Sequence, residues 1–184
     1  SGDNTIDAGD GIDVITLSGG HNSVQGDSGT DSITATGGTN VIDAGADNDT
    51  IILNSGTNTA NAGEGDDSIT AAGGDNTIDA GAGLNTITLS GGTNSVTGGA
   101  NADSITTTSG TNVINAGEGA DTIHLNGGFN TLNAQSGVDT ITATSGHNII
   151  DAGEDADVIT LSGGFNTVQG SSGTDNITAS GDRK

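Results

Sequence analysis

The sequence lacks several residue types on which globular and catalytic proteins usually depend. Among its 184 residues there is no cysteine, proline, methionine, tryptophan or tyrosine, and there are only two phenylalanines. The absence of cysteine excludes disulfides and thiolate metal sites. Apolar residues make up 29% of the chain and aromatic residues 1%, which is too little for a conventional globular core. The fold must therefore be stabilised in another way.

Basic residues are almost absent. The chain has 24 acidic residues and only two basic ones, Arg183 and Lys184, which gives a formal net charge of -22. A polyanion of this kind repels the phosphate backbone, so we predict no nucleic-acid partner. No apolar run approaches the ~20 residues of a membrane-spanning helix, so we predict no membrane insertion.

The sequence also offers little material for catalysis. It contains no cysteine, tyrosine or internal lysine or arginine, and its histidines are His21, His124 and His147. These histidines fall on different faces or on distant repeats, and we interpret them as solvated surface residues. Without a nucleophile, base and orienting group that converge, we predict that the protein is not an enzyme.

What the sequence does contain is a repeat of 18 residues. Ten copies without insertion or deletion run from residue 2 to residue 181. When the copies are aligned, two positions, called columns here, hold the same residue in every copy. Asparagine stands at 4, 22, 40, 58, 76, 94, 112, 130, 148 and 166, and isoleucine at 15, 33, 51, 69, 87, 105, 123, 141, 159 and 177. A fixed period with identical residues at one phase is typical of a solenoid in which each turn is one repeat.

Each repeat contains two short stretches in which apolar and polar residues alternate, bounded by glycine-rich turns. This is the pattern of strands, and in the first repeat Ile6, Ala8, Ile15 and Leu17 are predicted to face inward. The inward column that begins at Leu17 alternates large and small side chains, which favours close packing of a thin core. We predict an all-β parallel β-solenoid, or β-roll, of ten coils with two flat parallel sheets. Residues 1–184 would be a single array, and a segment of a longer protein.

The two turns of a repeat differ in charge. Of the 24 acidic residues, 17 lie in the first turn, where one position is aspartate in nine of ten repeats. Stacked carboxylates repel one another by roughly 1 kcal/mol per adjacent pair in water, and Ca²⁺ removes this cost by taking six to eight oxygen ligands. The predicted metal ligands are Asp13, Asp31, Asp49, Asp67, Asp103, Asp121, Asp139, Asp157 and Asp175, with Asn85 in the remaining repeat.

The first turn also carries a resemblance to a known family. The segments 8–16, 62–70 and 116–124 resemble the nonapeptide Gly-Gly-x-Gly-x-Asp-x-U-x of RTX (haemolysin-type) proteins, in which U is a large apolar residue. The resemblance implies a parallel β-roll that binds Ca²⁺ between successive turns, in a protein secreted by bacteria. Asp47, Asn101 and Asp155 depart from it, since they replace the glycine at the fourth place.

The second turn ends in the asparagine column and is nearly uncharged. Asparagine caps turn N–H groups, and in parallel solenoids it stacks in ladders that need no metal. We therefore expect an asparagine ladder on this edge and calcium on the other edge only.

One outward column of the second strand is rich in threonine. It comprises Thr16, Thr34, Thr70, Thr88, Thr106, Thr142, Thr160 and Thr178, interrupted by Ile52 and His124. A flat threonine array resembles the ice-binding faces of β-solenoid antifreeze proteins, so an ice-binding module is the alternative function. The simpler interpretation is that threonine suits an exposed strand because of its high β propensity.

Together these features predict a non-catalytic, calcium-stabilised structural or extender solenoid. Its expected place is extracellular, in a secreted bacterial surface protein, adhesin or fibre. Rods of this kind could associate end to end or side by side through unpaired edges and flat faces. Phe129 and Phe165 occupy equivalent positions two repeats apart and could mark a contact point for a partner.

Overall fold

A computed structural model describes residues 2–180 as an all-β chain of twenty strands. Gly181, which closes the tenth repeat, and the two basic residues Arg183 and Lys184 lie outside the described residues. The first sheet contains β1 (Asn4–Asp7), β3 (His21–Gln25), β5 (Thr39–Ala46), β7 (Thr57–Glu64), β9 (Asp75–Asp79), β11 (Thr93–Gly99), β13 (Thr111–Glu118), β15 (Phe129–Ser136), β17 (His147–Asp151) and β19 (Phe165–Gln169). The second sheet contains β2 (Val14–Leu17), β4 (Ser32–Ala35), β6 (Thr50–Leu53), β8 (Ser68–Ala71), β10 (Thr86–Leu89), β12 (Ser104–Thr107), β14 (Thr122–Leu125), β16 (Thr140–Ala143), β18 (Val158–Leu161) and β20 (Asn176–Ala179).

Both sheets are ten-stranded and entirely parallel. Odd-numbered strands neighbour one another in chain order, and even-numbered strands do the same. The pairing register is the sequence repeat itself, because Asn4 pairs with Asn22 and Ile15 with Ile33. The predicted parallel β-solenoid of ten 18-residue coils is confirmed. At about 4.8 Å per coil the rod is roughly 48 Å long.

The core is a thin layer between the two sheets. From Ile15 to Ile159 the isoleucine column is buried, with an exposed fraction of 8% at Ile15 and 0–1% at the others. Leu53, Ala71 and Leu89 are completely buried in successive coils, as the predicted alternation of large and small side chains requires. Ile177 is half exposed, since it has a neighbouring coil on one side only within the described residues.

Glycines form the turns because neighbouring coils approach closely there. At Gly63 φ is 109°, and a Cβ would lie 1.9 Å from the carbonyl oxygen of Gly45 in the preceding coil. The three residues that replace glycine at the fourth place of the turn differ in backbone conformation. Asp47 and Asp155 adopt φ values of 76° and 77°, a region that aspartate tolerates, whereas Asn101 is not among the residues with positive φ.

We expect Gly63→Ala to destabilise the fold by at least about 2 kcal/mol, because the added methyl meets backbone rather than a movable side chain. Gly37→Ala is the matched control. A Cβ at Gly37 would meet only Ser55 Oγ, at 3.7 Å, so its effect should stay within about 0.5 kcal/mol. Urea unfolding followed by circular dichroism measures both changes, and equal losses would show that coil spacing at this turn is adjustable.

Candidate functional site

The nine predicted aspartates and Asn85 form one continuous ladder along the first-turn edge, called here the Asp ladder. The backbone N–H of each member donates to the side-chain Oδ1 of the member in the next coil, from Asp13 to Asp175. The nine N···O distances lie between 2.7 and 3.1 Å. From Asp31 to Asp175, one side-chain oxygen of each member therefore links two coils.

The other carboxylate oxygen has no partner. In the described chain Oδ2 is buried and accepts no hydrogen bond in eight members, namely Asp13, Asp31, Asp49, Asp67, Asp103, Asp121, Asp139 and Asp157. Asp139 has no exposed surface at all. A buried carboxylate oxygen without a hydrogen-bond donor or a cation is costly, by about 1–3 kcal/mol or more for a charged group. The edge thus holds a row of oxygens that lack a positive partner.

The acid–base properties of the ladder reflect this environment. Burial raises the pKa of Asp139 to about 7 and those of Asp49 and Asp103 to about 6. Burial also raises the pKa values of Asp67 and Asp121. The N–H group donated by the preceding coil opposes this shift, and at Asp49 and Asp139 the neighbouring carboxylates reinforce it. Near neutral pH, burial and mutual repulsion therefore disfavour the ionised form of these carboxylates.

The opposite edge is built from the asparagine column, called here the Asn ladder. Each side-chain Nδ2 donates to Oδ1 of the asparagine in the next coil at 2.6–2.8 Å, from Asn4 to Asn166. In the same side chains Nδ2 also donates to a turn carbonyl, as from Asn112 to Ser109 at 3.2 Å. The predicted hydrogen-bonded ladder is confirmed. The two edges differ because an amide carries both donor and acceptor, whereas a carboxylate only accepts.

The predicted threonine column lies on the outer face of the second sheet. Its members occupy equivalent positions on the even-numbered strands, so that Thr16 pairs with Thr34 and Thr88 pairs with both Thr70 and Thr106. Ile52 and His124 occur in the same column, on β6 and β14. The structure brings these side chains into one row, on a different surface from the Asp ladder.

An aromatic stack on the first sheet was not predicted. His147 lies between Phe129 and Phe165, with ring centroids 4.9 and 4.8 Å apart and interplanar angles of 13° and 16°. The interpretation of His147 as a plain solvated residue was therefore incomplete. The position of His147 in the repeat could have predicted the stack, because all three residues directly precede an asparagine of the 18-residue column.

The repeats define a class of protein: parallel β-rolls with an acidic, glycine-rich turn in every coil. The sequence model described as the RTX calcium-binding nonapeptide repeat matches residues 1–33, 16–51, 25–60, 52–87, 97–132, 133–168 and 161–183. The chain belongs to this family of calcium-binding repeats. Comparisons with curated proteins and with solved structures find no match.

The donor chemistry of the Asp ladder fits the calcium ion that the family implies. The eight unpartnered Oδ2 atoms are hard oxygen ligands, which Ca²⁺ prefers. Within residues 2–180 no group of three or more His, Cys, Asp or Glu side chains converges into a metal cage. Backbone carbonyls of the glycine turns would therefore have to complete the coordination. The same part of the chain contains no helix long and apolar enough to span a membrane.

Proposed function

We propose that this chain is a calcium-stabilised structural solenoid that extends or spaces part of a secreted bacterial surface protein, such as an adhesin or fibre. The observation that carries this proposal is the row of buried carboxylate oxygens without partners along one edge. The aspartates occupy the same position in nearly every coil, which supports a structural role that each coil repeats. A catalytic site would instead need a few residues that occur only once. Association of such rods through their flat faces or their ends belongs to the same proposal.

The nine aspartates of the Asp ladder are the proposed metal ligands. Calcium, when bound, supplies positive charge and a high coordination number that offset the burial and mutual repulsion of these carboxylates. In the seven aspartates from Asp31 to Asp157, Oδ1 accepts the N–H of the preceding coil, and Oδ2 is the atom left for the cation. The ladder thereby couples calcium binding to the stacking of coils.

This coupling supports an export-linked folding mechanism. Where free calcium is scarce, as in a cytosol, repulsion along the Asp ladder destabilises the stacked coils and favours the unfolded chain. In an extracellular medium containing millimolar calcium, ligand binding to the folded state adds its free energy to folding. The proposed location is therefore extracellular.

The test is a comparison of thermal unfolding, followed by far-UV circular dichroism, in EDTA and in 10 mM Ca²⁺. We expect calcium to raise Tm strongly in the wild type, because folded coils bind the ion and the unfolded chain has no assembled site. In the triple variant Asp103→Asn, Asp121→Asn and Asp139→Asn the difference between the two conditions should shrink markedly.

The matched control replaces three exposed aspartates of the first sheet, Asp7, Asp43 and Asp79, by asparagine. This variant removes the same amount of charge but leaves the Asp ladder intact, so its calcium response should match that of the wild type. An equal loss of response in both triple variants would assign calcium to diffuse charge screening and contradict the proposed sites.

Ice binding is a second candidate, supported by the outward column on the second parallel sheet, in which eight threonines lie in register with Ile52 and His124. The expected result is inhibition of ice recrystallisation by the wild type, with loss of that activity in Thr88→Tyr. Thr88 lies in the middle of the row, where a bulky ring would interrupt the regular surface. An inactive wild type would eliminate this candidate and leave threonine as an ordinary strand residue.

A further inference from the structure

The aromatic stack of Phe129, His147 and Phe165 lies on the outer face of the first sheet, beside the Asn ladder and at the opposite end of the strands from the Asp ladder. The three residues begin β15, β17 and β19, so their rings follow one another at the spacing of the coils. Phe129 is 61% exposed and Phe165 73%. One face of the Phe129 ring is covered by His147. Its other face points toward Thr111, its backbone partner on β13, whose side chain is smaller.

A groove runs beside these rings. Its volume is about 510 Å³, and its lining includes Thr111, Val113, Thr131 and Ile149 as well as the three rings. That volume lies in the range of small-molecule sites, which are mostly apolar with a few polar groups that orient the ligand. Here the polar groups are the exposed side chains of Thr131, Thr167 and His147.

No aspartate or glutamate lines the groove, although the chain carries a formal charge of -22. An anionic ligand would be repelled by the acidic residues elsewhere on the rod, and a cationic ligand would be drawn to the Asp ladder instead. Charge therefore favours a neutral occupant.

Net charge distinguishes a small neutral ligand from a second copy of the chain. Val113 is 54% exposed and Ile149 59%, and together with the two phenylalanines they present apolar surface on the order of 400 Å². That surface is large enough for a compact ligand. A second copy would bring its own formal charge of -22 to the contact, so the two chains would repel one another.

From these observations we propose that the groove binds a neutral oligosaccharide. One sugar ring would lie with its apolar face on the free face of Phe129, above Thr111, and so continue the stack by one more ring. The adjoining rings would follow the groove, where their hydroxyl groups meet Thr131, Thr167 and His147. This activity is independent of the Asp ladder, which lies at the edge of the sheets.

Isothermal titration of the full chain in 10 mM Ca²⁺ tests the proposal, with cellohexaose, maltohexaose, xylohexaose and chitohexaose as neutral probes and oligogalacturonate as the anionic one. At least one neutral probe should bind and shift the ring proton resonances of His147 in NMR spectra. Phe129→Ala should weaken that binding at least tenfold, whereas Phe129→Trp, which keeps an aromatic ring at this position, should bind about as tightly as the wild type. The control Thr93→Ala, in the same column two coils away, should leave it unchanged.

Three results would overturn the proposal: no binding of any neutral probe, equal binding of oligogalacturonate, or a dimer in sedimentation that disappears in Phe129→Ala. The last result would identify a second copy as the occupant. Circular dichroism in calcium confirms that each variant is folded, so failure of saccharide binding is separable from failure of the calcium proposal.

Discussion

In EDTA, the protein should become more stable as the pH falls from 8 to about 4, by roughly 10 °C or more in Tm. Burial raises the folded-state pKa values of Asp139, Asp49 and Asp103 to about 7, 6 and 6 from the ordinary value of 3.8. The folded chain therefore binds protons that the unfolded chain releases, and stability rises as the pH passes down through these values. Below about pH 4 the unfolded carboxylates also protonate, and the gain ends.

Calcium should reverse this behaviour, because protons and calcium would compete for the same carboxylates at the proposed sites. In 10 mM Ca²⁺, acidification should lower Tm over the range in which it raises the Tm of the metal-free protein. The triple variant with asparagine at 103, 121 and 139 tests whether the Asp ladder, and not the net charge of the chain, causes the effect. In EDTA its Tm should depend much less on pH than the Tm of the wild type. A metal-free Tm that falls steadily from pH 8 to pH 4 would contradict the buried, unpartnered state of Oδ2.

Asn112→Asp should cost about 3–5 kcal/mol in calcium, the largest effect expected from a change of one side-chain atom in this protein. Asn112 is 1% exposed. Its Nδ2 donates to Asn130 Oδ1 at 2.8 Å and to the carbonyl of Ser109, and its Oδ1 accepts from Asn94. A carboxylate there would keep the hydrogen bond from Asn94, but it could not donate, so its second oxygen would face the oxygens of Asn130 and Ser109 within a buried row. The measurement is the free energy of unfolding from urea denaturation.

Asn85→Asp is the matched control, because it makes the same substitution on the opposite edge. Asn85 is equally buried, and its Oδ1 accepts the backbone N–H of Asp67 at 3.0 Å, a bond that an aspartate would keep. Its Nδ2 makes only a long contact of 3.4 Å with the carbonyl of Gly83, and its favourable interaction with the Asp103 carboxylate would be replaced by calcium. We expect a neutral or stabilising effect in calcium and a destabilising one in EDTA. Equal losses for Asn85→Asp and Asn112→Asp in calcium would show that the edges do not differ in their tolerance of charge.

Much of the fold followed from the period, since an uninterrupted 18-residue repeat leaves only one register in which identical columns stack. The isoleucine column predicted the core, and the asparagine column predicted the ladder that Asn4 begins. The chemistry of the candidate site was also predictable, because carboxylates at one phase must meet along one edge. The hydrogen bond from the backbone N–H of one coil to Oδ1 in the next coil could not be predicted, since it depends on side-chain rotamers that a repeat does not specify.

The aromatic stack is encoded in the repeat but is not apparent from residue types alone. Phe129 and Phe165 occupy equivalent positions two repeats apart, and His147 occupies the same position in the repeat between them. Exposed positions are the least constrained in a solenoid, because no packing requirement holds a column constant there. A groove formed by three such residues therefore has no counterpart in the consensus repeat.

The hydrogen bonds of the Asp ladder and the Asn ladder join each coil only to its immediate neighbours, 18 residues away. Pulled from its two ends, such a rod would lose coils singly from an end rather than rupture as a whole. Each lost coil would release about 60 Å of contour length, from 18 residues of extended chain. The protein would thus respond to tension as an extensible element with regular, equal steps, and the calcium concentration would set the force at which the steps occur.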